Sequence, residues 1–463
     1  MKHFIIIIVL LLGACNIPDT SGPLDNFPTQ PVVQTITPAP TLSPEEAADV
    51  IYHGGIVLTM NPEQPRAQAI ALRGEKIIAV GTNQEIMAWR ADQTKVIYLN
   101  GRTLMPGFVD AHTHLLHVAA NYGTDFDGIQ QLALANGITT IGTFVVQQFL
   151  TEMQNYTEEG KLRVRTSLYM IYNTNCGDIV GDWWKDIPPT REPGEMLRFG
   201  GVKIFADGGT CNRPALSYET SPGSGLGDLY LTSDQIADLV SEAQSVGHQV
   251  AIHALGDRAI EAALDGIESA LDGQPNTFRH RIEHNAILRP DLLPRYGEVG
   301  VVATIFATFP SCTPFDSPSP EPYNQWEWAW PSLVEANPDL HIAWHGDDPY
   351  IRPISPILEL YGFLTRRQAE DDRATVCDAP EWIQDDVLTV EQALPMMTRE
   401  SAYALFRDDE VGALTPGKYA DLIILSQNPW TENPETLLDT HVLMTMVGGS
   451  VEFCALGSEA FCP

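Results

Sequence analysis

Pro106 to His114 read PGFVDAHTH, a stretch that places two histidines one residue apart at the end of an apolar run. Pro106 and Gly107 open it, and Phe108 and Val109 give it strand character. Alternate residues of a strand share a face, so His112 and His114 can point at one ion. Neutral imidazoles are the commonest side-chain ligands for zinc and similar metals. A lone His-x-His is weak by itself, and any further ligands must come from elsewhere in the chain.

Outward from this strand, between Thr103 and Phe406, short β-rich runs alternate with helical stretches. The runs are Leu104 to Val109, Ile138 to Phe144, Val164 to Ile171, Gly201 to Phe205, Gln249 to Ile252, Arg281 to Glu283, Val301 to Phe306 and His341 to Trp344. Eight such units predict an α/β fold, a (β/α)8 TIM barrel. Helix signals fall between them. Thr232, Ser233 and Asp234 cap a run in which Ile236, Leu239, Val240 and Ala243 recur at helical spacing until Gly247. A late helical region after Thr389 is interrupted by Pro395.

The flanks are β-rich, with IYHGGIVLTM, AIALRGEKIIAVG and VIYLN before the barrel and ADLIIL and HVLMTMVGGSVEF after it. Both ends together make one small β-sandwich, built from residues 46–106 and 408–463 around a barrel of residues 107–407.

Active sites of such barrels lie at the C-terminal ends of the strands. Metal-type residues recur there: His112 and His114 after the first strand, His253 after the fifth, His284 after the sixth and Asp347 after the eighth. Lys203 stands within the fourth strand, where a lysine must bury its charge or lose it. Taken singly, His253 and His284 read better as satisfied core histidines than as ligands. Convergence of six such residues on one rim favours a site.

The N-terminus reads as a lipoprotein signal: Lys2 and His3, an apolar run from Phe4 to Leu12, then Leu12, Gly13, Ala14 and Cys15 in the manner of a lipobox. The apolar run is shorter than the roughly 20 residues that span a bilayer. Residues 16–45 are a Pro- and Thr-rich tether, so the expectation is an extracytoplasmic body held at a bacterial membrane only by a lipid on Cys15. The net charge is -33, with 27 basic against 60 acidic residues, which argues against nucleic acid or anionic lipid partners. It does not name a substrate.

With PGFVDAHTH, the stretches VKIFADG, HALGDRA, RHRIEH and GALTPGKYADLIIL resemble the signatures of the metal-dependent amidohydrolase superfamily. The resemblance is to its YtcJ-like (amidohydrolase 3) branch, which includes N-substituted formamide deformylases, and covers roughly residues 46 to 463. It implies that His112, His114 and Asp347 hold one divalent metal, that His253 and His284 hold a second, and that Lys203, carboxylated by CO2, bridges them. It also implies zinc as the metal, one or two ions, and hydrolysis of a C–N bond in a small amide, formamide or cyclic amide by metal-activated hydroxide, with Asp347 moving the proton. His117, Arg213, Asp257, Arg258, Arg279, His280 and Glu283 lie near the ligands in sequence, as substrate contacts or supports of the ligands.

The eighth strand departs from the family pattern, reading His345, Gly346, Asp347, Asp348, Pro349 where relatives read Gly-Ser-Asp-x-Pro. Pro349 aligns Asp347 as the ligand and leaves Asp348 a lesser candidate. After the seventh strand, PYNQWEWAWPS and nearby Phe309 and Phe315 either line an apolar pocket or pack the loop onto the barrel. Of seven cysteines, six remain after Cys15, with fifteen possible connectivities. Adjacent barrel loops suggest Cys176 with Cys211, Cys312 with Cys377, and Cys454 with Cys462. The rival readings are a single-metal deaminase, in which Lys203 stays unmodified, and a surface lipoprotein that binds a ligand without catalysis.

Overall fold

The computed structural model describes residues 46–116, 123–209, 211–307, 311–312, 319–350, 354–430 and 433–463. The lipobox with Cys15, the tether, His117, Phe309 and Phe315 lie outside them. Among the described residues no helix is long and apolar enough to cross a membrane.

Two eight-stranded sheets and one two-stranded hairpin are formed by the described residues. Strands β1 (Val50–Leu58), β2 (Arg66–Arg73), β3 (Lys76–Gly81), β4 (Lys95–Tyr98) and β5 (Thr103–Pro106) belong to the first. The second holds β6 (Phe108–Thr113), β7 (Ile138–Val145), β8 (Arg165–Ile171), β9 (Leu197–Phe205), β10 (Gln249–Ala254), β11 (Arg281–His284), β12 (Val302–Ile305) and β13 (Ile342–Trp344). A short hairpin follows, β14 (Gln368–Ala369) with β15 (Val376–Cys377). The chain then returns to the first sheet with β16 (Leu422–Leu425), β17 (Val442–Val447) and β18 (Ser450–Cys454).

Strands β6 to β13 pair in sequence order, each parallel to the next, as expected for a TIM barrel. The seam between β13 and β6 is closed at the C-terminal rim. There Asp347 N donates to His112 O (3.0 Å), His114 N to Asp348 O (2.9 Å), and Gly346 N to the Asp110 carboxylate (3.1 Å). Most barrel strands are followed by helices, but β8 is followed by a long loop with one 3-10 turn, Trp183–Asp186. The Thr232 cap is a reciprocal capping box with Gln235 and starts the helix Ser233–Ser245, which buries Ile236, Leu239, Val240 and Ala243. At Pro395 the late helix widens into a π-turn, Met396–Glu400, before resuming at Ser401–Ala404.

The run expected as one strand from Leu104 to Val109 is two. Strand β5 pairs with β16 and β1 in the first sheet, and β6 pairs with β7 in the barrel. Gly107 is the crossing point; a Cβ there would sit 2.2 Å from the Thr139 side chain. The first sheet gathers its own core from both chain ends, Tyr52, Ile70, Leu72 and Leu104 with Leu422, Ile424, Met444 and Met446. A buried bidentate pair joins it to the barrel, Arg165 of β8 with Asp421 at 2.7 and 3.1 Å.

Cysteines pair as adjacent-loop topology suggests: Cys176 with Cys211, Cys312 with Cys377, and Cys454 with Cys462. The first bond ties the loops after β8 and β9.

Candidate metal centre

Parallel strands deliver their C-terminal residues to one rim, and His112, His114, Lys203, His253, His284 and Asp347 all line one cavity of about 230 Å3 there. Val146, Ile171, Phe205 and Tyr350 give its walls an apolar share, with Thr174 and Asn175 adding polar groups. The Asp347 carboxylate is the hub. His112 Nε2 and His114 Nε2 lie 3.2 and 3.4 Å from its Oδ1, and His284 Nδ1 lies 3.8 Å from Oδ2. His112, His114 and Asp347 each offer a ligand atom within 4.8 Å of the others. His253 stands across the cavity, its ring 4.5 Å from that of His284.

Two of these residues hold unusual backbone. His284 and Asp347 have φ of 73° and 52°, left-handed values that L residues adopt only when their surroundings enforce them. Asn285, also left-handed at 54°, does the enforcing for β11: its amide donates to Ile282 O and Thr304 O at 2.8 and 2.9 Å and its oxygen accepts from Tyr296 at 2.5 Å.

Electrostatics fit a cation. Burial pulls His114 down to about 4 and His253 to about 3, and lowers His284 well below its usual value, so these imidazoles are neutral ligands at neutral pH. Burial opposes ionisation of Asp347, but His112, His114 and His284 outweigh it and keep the carboxyl anionic. Lys203 is fully buried, its Nζ has no hydrogen-bond partner, and burial pulls it down to about 8. Its surroundings are the ring faces of Phe144 and Phe205, at 4.4 and 4.9 Å. Four imidazoles, a carboxylate and an unpartnered buried amine make a donor set that could hold a divalent metal.

The amidohydrolase family profile matches residues 129–453, about seven tenths of the sequence. The chain belongs to the amidohydrolase family. Protein LONG AFTER FAR-RED 3 of Arabidopsis thaliana is 32% identical over 265 residues, 55% of this chain and 43% of its own. YtcJ of Bacillus subtilis (strain 168) is 25% identical over 59% of this chain and 50% of its own. The N-substituted formamide deformylase of Arthrobacter pascens is 25% identical over 57% and 47%. The chain thus spans about half the length of the curated relatives it matches. An uncharacterized metal-dependent hydrolase from Pyrococcus horikoshii has the same fold, with a TM-score of 0.67 at 18% identity, covering 84% of this chain and 99% of its own.

Within this amidohydrolase only one of the described candidates for supporting the ligands, Glu283, is seen bonded to one of them. Glu283 receives His112 Nδ1 at 2.6 Å and Thr304 at 2.8 Å, and lies 2.8 Å from Arg281 Nε. Burial opposes its ionisation, yet Arg281 and His112 hold the carboxyl below its usual range. It therefore fixes the His112 tautomer with Nε2 facing Asp347. Asp207, unassigned in the sequence reading, accepts from Ala215, Leu255 and Gly256 N at 2.8 to 3.0 Å and knots the loops after β9 and β10. Its place in VKIFADG, two residues past the Lys203 strand, was the available signal.

Arg213, Asp257, Arg258 and His280 do not line the cavity. Arg213 is exposed and bonds Ser224 O, and Asp257 accepts from Ser217 N and pairs with Arg289. Arg258 sits in the first turn of the helix Asp257–Leu271. His280 precedes β11, at the opposite end of that strand from His284, and accepts from Val250 N. Proximity in sequence misled because a strand carries its two ends to opposite faces of the barrel. The described aromatics after β12 pack the loop: Tyr323 stacks on Tyr218, and Trp328 and Trp330 are buried against Phe306.

Proposed function

We propose that this protein is a metal-dependent hydrolase that cleaves a C–N bond in a small amide, formamide or cyclic amide. The observation that carries the reading is the meeting of His112, His114, Lys203, His253, His284 and Asp347 in one rim cavity. His112, His114 and Asp347 would hold one divalent ion and His253 and His284 a second, with zinc suited to imidazole-rich sites. Such ions, when bound, lower the pKa of water and stabilise an oxyanion. Lys203, pulled down to about 8, has a neutral fraction at physiological pH whose nitrogen can add to CO2, lose a proton and become a carbamate. Burial, which strips water from the charged form, favours the neutral amine from which that addition starts. Asp347, anionic and facing the cavity, takes a proton from the attacking water and returns it to the leaving nitrogen. Glu283 keeps His112 turned toward that carboxylate. The apolar wall of Val146, Ile171 and Phe205 suits an uncharged substituent on the substrate.

A single-metal deaminase has one observation in its favour, the compact group of His112, His114 and Asp347 that excludes Lys203 and His253. Metal content per chain separates the two. The lipobox at Cys15 and three disulfides support an extracytoplasmic, membrane-tethered location. The direct test is a panel of N-acyl amines, formamides and cyclic amides with zinc-reconstituted protein, scored for released amine. Release of amine is expected; a silent panel with metal bound would favour a ligand-binding protein.

A further inference from the structure

His345 is the buried group that the proposed reaction leaves unused, and it stands where the chain departs from Gly-Ser-Asp-x-Pro. It directly follows β13, is fully buried, and among the described residues neither ring nitrogen has a hydrogen-bond partner. A neutral imidazole brings one donor and one acceptor, and buried polar atoms in folded proteins nearly always find partners.

Its neighbours are themselves metal-type. The ring stacks on His112 with centroids 4.8 Å apart and 25° between planes, and meets His284 edge-on at 4.9 Å. One ligand nitrogen from each of His112, His284 and His345 lies within 4.8 Å of the other two. Small side-chain rotations bring such a triad to the roughly 2.0–2.1 Å of imidazole–zinc bonds. Glu283 occupies His112 Nδ1, which leaves Nε2, and one imidazole nitrogen serves one ion.

We propose that His112, His284 and His345 form an inner, all-imidazole seat for a divalent ion, an alternative that shares His112 with the His112, His114 and Asp347 seat and His284 with the His253 and His284 seat. The inference rests on the reading of this cavity as a metal centre. It gives a single ion two places to bind, one with a carboxylate and one without. An uncharged imidazole seat favours zinc, copper, nickel or cobalt over magnesium or manganese.

The test loads wild-type crystals with less than one equivalent of Zn2+ and locates the ion by anomalous scattering. A peak within bonding distance of a His345 nitrogen is expected; peaks that all lie beyond bonding distance overturn the proposal. In solution, Co2+ titration of Asp347→Asn should still reach one tight equivalent, and adding His345→Phe should weaken it tenfold or more and change the visible spectrum. Equal affinity and an identical spectrum in the double variant also overturn it. A zinc peak at His345 in protein inert toward every amide would remove the hydrolase reading and leave the seat. Active protein with no ion at His345 would do the reverse.

Discussion

The two sides of the cavity are built differently. On the β6 and β13 side, ligands are wired in advance: Arg281 and Thr304 hold Glu283, Glu283 holds His112, and His112 and His114 converge on Asp347. On the β9 and β10 side, the Lys203 ammonium lies against the faces of two aromatic rings, and among the described residues the acceptors nearest His253 Nε2 are Gly208 O at 3.5 Å and Asp207 at 3.6 Å. The first side carries its negative charge already. The second has no carboxylate among its proposed ligands, and a carbamate on Lys203 would supply the negative charge it lacks. One half of the centre is thus preorganised by the fold, while the other is finished by chemistry.

Asp347→Asn attacks the wired side at its hub. Hydrolysis should fall by about 10⁴-fold with an unchanged melting profile, since proton transfer and a ligand are lost together; turnover within tenfold of wild type would end the proton-transfer role. Lys203→Met attacks the unfinished side. Loss of about 10²–10³ in kcat/KM is expected. Protein given 13C-bicarbonate should show a carbamate carbon resonance that this variant lacks, and a silent wild-type spectrum would mean that Lys203 is unmodified.

Glu283→Gln tests the wiring one layer out. It should lower metal affinity or activity by about 10–100-fold and, by leaving Arg281 buried without its partner, cost about 3–5 kcal/mol in urea unfolding. Smallest is a pH effect on the unfinished side. In metal-free protein His253 stays unprotonated down to about pH 3, whereas the unfolded chain takes up that proton near pH 6.5. Folding stability from this residue is therefore lost as pH falls from 6.5 toward 3. His253→Asn should flatten that part of the melting-temperature profile by a few degrees, and parallel profiles would show that the folded imidazole is not held neutral.

Much of this centre was legible because its ligands are strand-end residues, and in a parallel barrel sequence position after a strand is also spatial position on the rim. His112, His114, Lys203, His253, His284 and Asp347 could each be placed in that way. The bonds that support them could not, although Glu283 itself stood among the candidates. Glu283 matters through a bond to a residue 171 positions away, and Asp207 through three backbone amides on two loops. His345 looked like a flank of Asp347 until its ring was seen against His112 and His284. The break at Gly107 was hidden because β5 and β6 are both apolar, and only their partners, β16 and β7, tell them apart.

The sheet shared by both chain ends bears on the order of assembly. Strand β5, joined directly to the strand that carries His112 and His114, completes its pairing with β16, and Thr445 reaches back to Leu134 across 311 residues of sequence. A ribosome delivers these partners after the whole barrel, so the loop that must close is long and the contact order high. The strand bearing His112 and His114 therefore gains the lateral support of β16 through β5 only once residues 422–425 have been made. Such an arrangement delays the site's final geometry until the barrel that it belongs to is already formed.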